Sequence, residues 1–280
     1  MRTTYFIAIL ILANLFLACS PAPSSGPQEV PQEVPQEINK GKELVLKMME
    51  KVGSYDKLAA LEDVSYTYIY RSPDGRERVS LEKYLFDGEL SWASYSTREL
   101  GPYPDQEGEV LQGFDGTSAW TTLNGELMDG EEDLQRARFS RKTNFYWFAM
   151  MQKLADPGLT YEYKGTQDVN GISYEKVEVG FGDGVGDAQD IYLLYINPET
   201  ALVDQFLFTV KAFGRTDPLL MRVEYEEVDG VLLTVYRKYT PSNWEAEINE
   251  DEAKWTEEIS EEVSFTNGLS VEDFTLSAEG

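Results

Sequence analysis

Three stretches of this 280-residue chain hold residue types that could do chemistry. Phe181-Gly182-Asp183-Gly184-Val185-Gly186-Asp187-Ala188-Gln189-Asp190 sets three carboxylates among glycines, a composition able to ligate calcium through hard oxygens. Its spacing is not that of an EF-hand, and a flexible acidic hairpin loop is the preferred reading. Asn243 to Glu262 carries Glu245, Glu247, Glu250, Asp251, Glu252, Glu257, Glu258, Glu261 and Glu262. Such a run is usually a solvated face, with a surface for a cationic partner as the alternative. Phe145-Tyr146-Trp147-Phe148-Ala149-Met150-Met151 is an unbroken apolar run. It belongs either to the core or to the lining of a lipid pocket, and methionines suit both.

Other chemistries are excluded by composition. The chain has no histidine and one cysteine, which removes Ser-His-Asp and Cys-His catalysis, imidazole metal sites, cysteine zinc sites and internal disulfides. Gly-x-Ser-x-Gly does not occur. Fifty acids always allow a carboxylate pair for glycoside hydrolysis, but nothing singles two out, so no enzyme and no cofactor are expected. A formal charge of −26 excludes a nucleic-acid binder held by phosphate contacts and docking on anionic lipid through a basic patch. An apolar fraction of 42% with 26% charged residues is that of a folded globular protein.

These residues need elements to position them. Leu44, Val45, Met48 and Met49 recur at helical spacing and predict a helix over Lys42–Lys51, stopped by Gly53. Tyr55–Leu61 predicts a second, short one. The period then switches to two, as in Val64, Tyr66, Tyr68 and Tyr70, in Leu159, Tyr161 and Tyr163, and in Phe206, Phe208 and Val210. Val231, Leu233 and Val235 mark another strand, and Trp255, Ile259, Val263 and Phe265 a last one. Asn170-Gly171, Asp229-Gly230 and Asn124-Gly125 are two-residue turn signals. About ten or eleven mostly antiparallel strands are expected. Glu131–Leu154, free of Gly and Pro, predicts the one long helix, and the apolar run lies within it.

The N-terminus sets the compartment. Arg2 and the apolar stretch Tyr5–Leu17 form a signal-peptide pattern too short to span a bilayer. Leu17-Ala18-Cys19-Ser20 resembles the bacterial lipobox, which implies cleavage after residue 18 and acylation of Cys19. An ordinary secretory signal ending near a free cysteine is the alternative. Several acyl chains give lasting attachment where one gives only marginal binding. Ser20, with no acid before Glu29, resembles outer-membrane sorting signals and implies an outer-membrane anchor facing the periplasm. Pro27-Gln28-Glu29-Val30 repeats as Pro31-Gln32-Glu33-Val34 and Pro35-Gln36-Glu37-Ile38. Residues 19–39 therefore form a lipidated cysteine and a polyproline-like tether. Residues 40–280 form a single domain.

Within that domain three patterns resemble one family. They are Phe114-Asp115-Gly116-Thr117-Ser118-Ala119-Trp120, then Val169-Asn170-Gly171-Ile172 followed by Lys176-Val177-Glu178-Val179, then Asp190-Ile191-Tyr192-Leu193 through Ile196-Asn197-Pro198-Glu199-Thr200-Ala201-Leu202-Val203. Their order, over roughly residues 42–276, resembles the LolA/LolB-like superfamily of periplasmic lipoprotein carriers, and an uncharacterised lipoprotein family within it rather than LolA or LolB themselves. The resemblance implies a mainly β fold (α+β): a curved, incomplete antiparallel β-barrel with helices covering its concave face. It implies an apolar cavity lined by Phe145, Trp147, Phe148, Met150 and Met151 from the long helix, with Trp92 and Trp120 from strands. The expected ligand is an acyl chain, lipid or lipoprotein. The alternative is an envelope sensor or scaffold of the same fold that binds a protein partner and no small molecule.

Overall fold

The computed structural model describes residues 39–182, 190–211 and 214–276. Cys19, the lipobox and almost all of the tether lie outside these residues, as do positions 183–189 of the acidic glycine-rich loop. The described residues fall in one compact unit.

Two helices open it. Helix α1 spans Lys40–Val52; the Asn39 side chain caps it by accepting from the Lys42 backbone N–H. Val45, Met48, Met49 and Val52 form its buried stripe. Helix α2, Tyr55–Ala59, is capped in the same way by Ser54.

The rest is one antiparallel sheet built from two meanders. The first holds β1 (Asp63–Arg71), β2 (Glu77–Leu85), β3 (Leu90–Arg98), β4 (Val110–Phe114), β5 (Ala119–Leu123) and β6 (Glu126–Leu127). The second holds β7 (Leu159–Val169), β8 (Ile172–Phe181), β9 (Tyr192–Ile196), β10 (Val203–Val210), β11 (Arg215–Val228), β12 (Val231–Pro241) and β13 (Thr256–Phe265). Pairing of β1 with β13 joins them into a 13-stranded sheet whose edges are β6 and β7. The count exceeds the ten or eleven predicted. Short pieces such as two-residue β6 and the fully buried five-residue β9 show no alternation to read.

Helix α3, Glu131–Lys153, connects β6 to β7, one edge of the sheet to the other. A flat sheet of this many strands would be about 58 Å wide at the usual strand spacing. A helix of 23 residues spans only about 34 Å. The sheet is therefore curved and open, not closed into a barrel, with α3 lying across its concave, inner face. Acids at Glu131, Glu132 and Asp133 favour the helix start electrostatically, although no side chain caps it.

The hairpin signals fold as their residues require. Asn124-Gly125, Asn170-Gly171 and Asp229-Gly230 all take positive φ at both positions, the geometry of a type I′ turn. Asn197 bonds the Glu199 backbone N–H and Thr200 that of Leu202, so the Asn-Pro-x-Thr stretch is a side-chain-stabilised turn. Trp255 falls just before β13. A register shift between β1 and β13 then puts Phe265 on the inner face, whereas Ile259, opposite Ile69, lies on the outer one.

Candidate functional site

The inner face follows from period-two geometry. Val64, Tyr66, Tyr68 and Tyr70 of β1 stand opposite Tyr84, Glu82, Ser80 and Arg78 of β2, and all eight share that face. Helix α3 packs on it through the apolar run. Phe148 stacks on Tyr66 with ring centroids 4.9 Å apart and meets Tyr84 at 5.6 Å. Phe145 meets Tyr84 at 5.2 Å and Phe86 at 6.2 Å. Trp147 reaches the other meander, against Tyr192, Phe206 and Phe208. Met150 and Met151 join α1, β8, β9, β10 and β11 in the largest core cluster.

Five of the seven residues expected to line a cavity thus meet the inner face. Four of them, Phe145, Phe148, Met150 and Met151, are buried core, and Trp147 is half-buried. Their side chains pack into the space between α3 and the sheet. Two open clefts are present elsewhere. One of about 760 Å³ is lined by residues 214–218 and 241–245. Another of about 520 Å³ is lined by Glu226, Glu227, Asp229, Glu261 and Glu262 among others. Neither touches the aromatic layer.

Trp92 and Trp120 stand on the opposite, outer face. Both pair with Gly113, whose neighbours Gln112 and Phe114 pair with Ala93 and Ser91 on the inner side. A Cβ at Gly113 would sit 2.2 Å from the Trp120 ring, so the indole lies directly on that backbone. The Trp120 ring N–H donates to the Phe274 carbonyl at 2.9 Å. Phe274 is fully buried at the end of a short 3₁₀ helix, Val271–Phe274. Asp63 holds the chain leading there by accepting from the backbone N–H groups of Asn267 and Leu269. Gly113→Ala is expected to displace the indole and loosen this strap, at about 1–3 kcal/mol for overpacking. Hydrogen exchange at residues 266–276 should rise; unchanged protection would refute it.

The inner face also carries charges that the sequence reading missed. Arg141 of α3 and Glu82 of β2 are both 0% exposed and pair at 2.6 Å. Ser80, Tyr84 and Asn144 also donate to Glu82, and Arg141 donates to the Tyr95 hydroxyl. Burial raises the Glu82 pKa, but Arg141, Ser80 and the more distant Arg78 together outweigh it and leave the carboxyl below its ordinary value. Burial likewise disfavours the Arg141 charge, and Glu82 more than restores it. A second pair, Arg237–Glu258 at 2.9 Å, lies farther along. Arg237 also donates to the Trp147 carbonyl, tying α3 to β12. Alternation through Ser80-Leu81-Glu82-Lys83-Tyr84 could have placed Glu82 beside the tyrosines. Nothing local marked Arg141 as its partner.

The acidic run is only partly free. Glu250 pairs with Arg222, Glu257 with Arg71 and Glu258 with Arg237, whereas Glu245, Glu247, Asp251 and Glu252 are exposed. Part of that segment covers the outer face: Ala246, Ile248 and Trp255 pack on Tyr174, Leu193, Tyr195, Leu207 and Leu220. Among the described residues no cluster of three or more acids or cysteines is placed to hold a metal, and no helix is long and apolar enough to cross a membrane.

No family model and no curated protein matches the chain. Solved structures do. A DUF1329 family protein from Desulfovibrio piger is 15% identical with a TM-score of 0.48, over 84% of this chain and 95% of that one. A domain assigned to outer membrane lipoprotein sorting from Vibrio parahaemolyticus is 12% identical, with a TM-score of 0.47 over 84% and 96%. A LolA superfamily protein from Nitrosomonas europaea is 12% identical, with a TM-score of 0.47 over 84% and 97%.

Proposed function

We propose that this chain is an envelope lipoprotein, anchored through acylated Cys19 at the periplasmic face of the outer membrane, which binds an acyl chain, lipid or lipoprotein non-covalently between α3 and the sheet. The supporting observation is the aromatic layer. Helix α3 is a separate slab, joined by short connections at both ends, over a sheet face of Tyr66, Tyr84, Phe86, Tyr192, Phe206 and Phe208. With α3 down, side chains fill that face. With α3 lifted, the same face becomes an apolar trough. An acyl chain of sixteen carbons gains on the order of 12 kcal/mol on burial, at about 0.8 kcal/mol per methylene. That gain must offset the contacts α3 gives up. Separating the Arg141–Glu82 pair is opposed less than its geometry suggests, because both charges regain hydration when the helix lifts.

Trp147 reports on this movement, since it is the only tryptophan of α3 and is half-buried. The chain from Ser20 onward, mixed with a stearate brominated along its chain, should lose part of its tryptophan emission. Trp147→Phe should abolish that quench without abolishing binding. Native mass spectrometry of the same protein from a bacterial periplasm should show a bound mass that extracts into organic solvent. An apo mass with no quench overturns acyl binding.

The filled interior favours one second reading, a lipoprotein scaffold or sensor that binds an envelope protein. Its surface would include the exposed acids Glu245, Glu247, Asp251 and Glu252. Neutralising those four should abolish capture of the partner, and unchanged capture would refute it.

A further inference from the structure

In a chain with 50 acids and 24 bases, a half-buried arginine without an acid is the exception. The other inward arginines obey the expectation: Arg141 has Glu82 and Arg237 has Glu258. Arg98, which has no acid, gives its N–H groups to the carbonyls of Pro102, Tyr103, Gln106 and Gly108 and so organises its loop. Arg78 has neither. Among the described residues it makes no ion pair and no hydrogen bond, feeling Glu82 only at a distance, and its Nε is buried without a partner. Tyrosine rings flank it, with centroids 5.6 Å away at Tyr68 and 5.1 Å away at Tyr70. Tyr70 is itself fixed by a 2.6 Å hydroxyl contact with Tyr239.

Its place on the sheet is as informative as its lack of partners. Arg78 pairs with Tyr70 one step inside the β1–β2 turn, at the rim of the inner face. Inward from it the rings are continuous. Tyr68 lies 6.4 Å from Tyr66, and Tyr66 stacks on Phe148 of α3. Counting the belt of Arg78, Glu82, Arg141, Arg237 and Glu258, three guanidiniums face two carboxylates. Within this belt positive charge exceeds negative by one, inside a strongly negative protein. A planar fork held by aromatic faces, with its terminal donors unused, suits the two-point geometry of a carboxylate or a phosphate.

We propose that Arg78 is a headgroup site: it takes the carboxylate or phosphate of an anionic amphiphile whose chain lies along the aromatic layer under α3. This rests on the acyl-binding reading above and narrows its ligand to chains that end in an anion. The overall charge of −26 repels such ligands at a distance, so selection falls to a local, partly desolvated contact.

The test compares three probes of equal chain length: oleate, oleyl alcohol and oleyl phosphate. Each is titrated into the chain from Ser20 onward, as wild type, Arg78→Gln and Arg78→Lys. Wild type should bind one or both anionic probes at least roughly tenfold more tightly than the alcohol, as a charge-assisted contact worth more than about 1.4 kcal/mol requires. The tighter of the two identifies the headgroup as carboxylate or phosphate. Arg78→Gln should bring the anions down to the level of the alcohol and leave the alcohol unchanged, and Arg78→Lys should keep part of the preference. The thermal midpoint of Arg78→Gln should fall little, because no hydrogen-bond or ion-pair partner among the described residues is orphaned. Equal binding of anions and alcohol by wild type, or an equal loss of all three in Arg78→Gln, overturns the headgroup site and leaves acyl binding standing. Failure of all three probes to bind wild type overturns both.

Discussion

Arg141→Leu is expected to lower the unfolding free energy by about 3–5 kcal/mol, the usual cost of leaving one member of a buried ion pair behind. Glu82 would then sit fully buried with only neutral donors, Ser80, Tyr84 and Asn144. Glu82→Leu should cost a similar amount by stranding the guanidinium. The double variant should be milder than either single one, because both desolvated charges leave together. Urea unfolding of the four proteins in a double-mutant cycle measures this coupling. Additive losses would show that the pair does not act as a unit. The same pair predicts a pH dependence. The Glu82 carboxyl lies below its ordinary 4.5 in the folded state, so the unfolded chain takes up its proton first as pH falls. Its stabilisation is present above the unfolded value and is lost as pH drops through the folded value. The double variant should accordingly show a flatter acid limb as pH falls below the ordinary carboxylate value of 4.5.

Phe148→Ala should be comparably damaging, at about 3–5 kcal/mol. Its ring is 6% exposed and is the one α3 ring that touches both Tyr66 and Tyr84, whose hydroxyls meet at 2.8 Å beneath it. Truncation opens a cavity that these rings cannot close without breaking that contact. Trp147→Ala should cost less, because its indole is half-buried. Thermal unfolding of the two variants checks the order, and a larger loss at Trp147 would contradict the packing described. The contrast also governs the choice of functional variants: polar substitution at Phe148 confounds binding with folding, whereas Trp147→Phe does not.

Two local features were legible because they need no distant partner. Helix α3 was predicted as Glu131–Leu154 and found as Glu131–Lys153, since its acidic start, its uninterrupted helix formers and the Asp156-Pro157-Gly158 stop are contiguous in sequence. The three turn dipeptides named their backbone conformation directly, because Asn, Asp and Gly tolerate positive φ better than other residues. The antiparallel meander followed from the turns and strand alternation, whereas its curvature was implied only by the family resemblance.

Alternation told which residues of a strand share a face; it did not tell which face is inside. Trp92 and Trp120 have the hydrophobicity of core residues and are placed on the outer face, where Trp120 has a cover of its own, the strap ending at Phe274. The acid-rich segment covers the outer face elsewhere through Ala246, Ile248 and Trp255, so this sheet is apolar on both sides and its pattern is ambiguous. The sequence by itself determined the elements, their turns and the charge balance. Only the tertiary structure decided that Arg141 meets Glu82 across 59 positions, that Arg78 forms no ion pair among the described residues, and that α3 packs on the face it covers. Those outcomes depend on side chains brought together by the packing of α3 across the sheet, and no local periodicity encodes such a meeting.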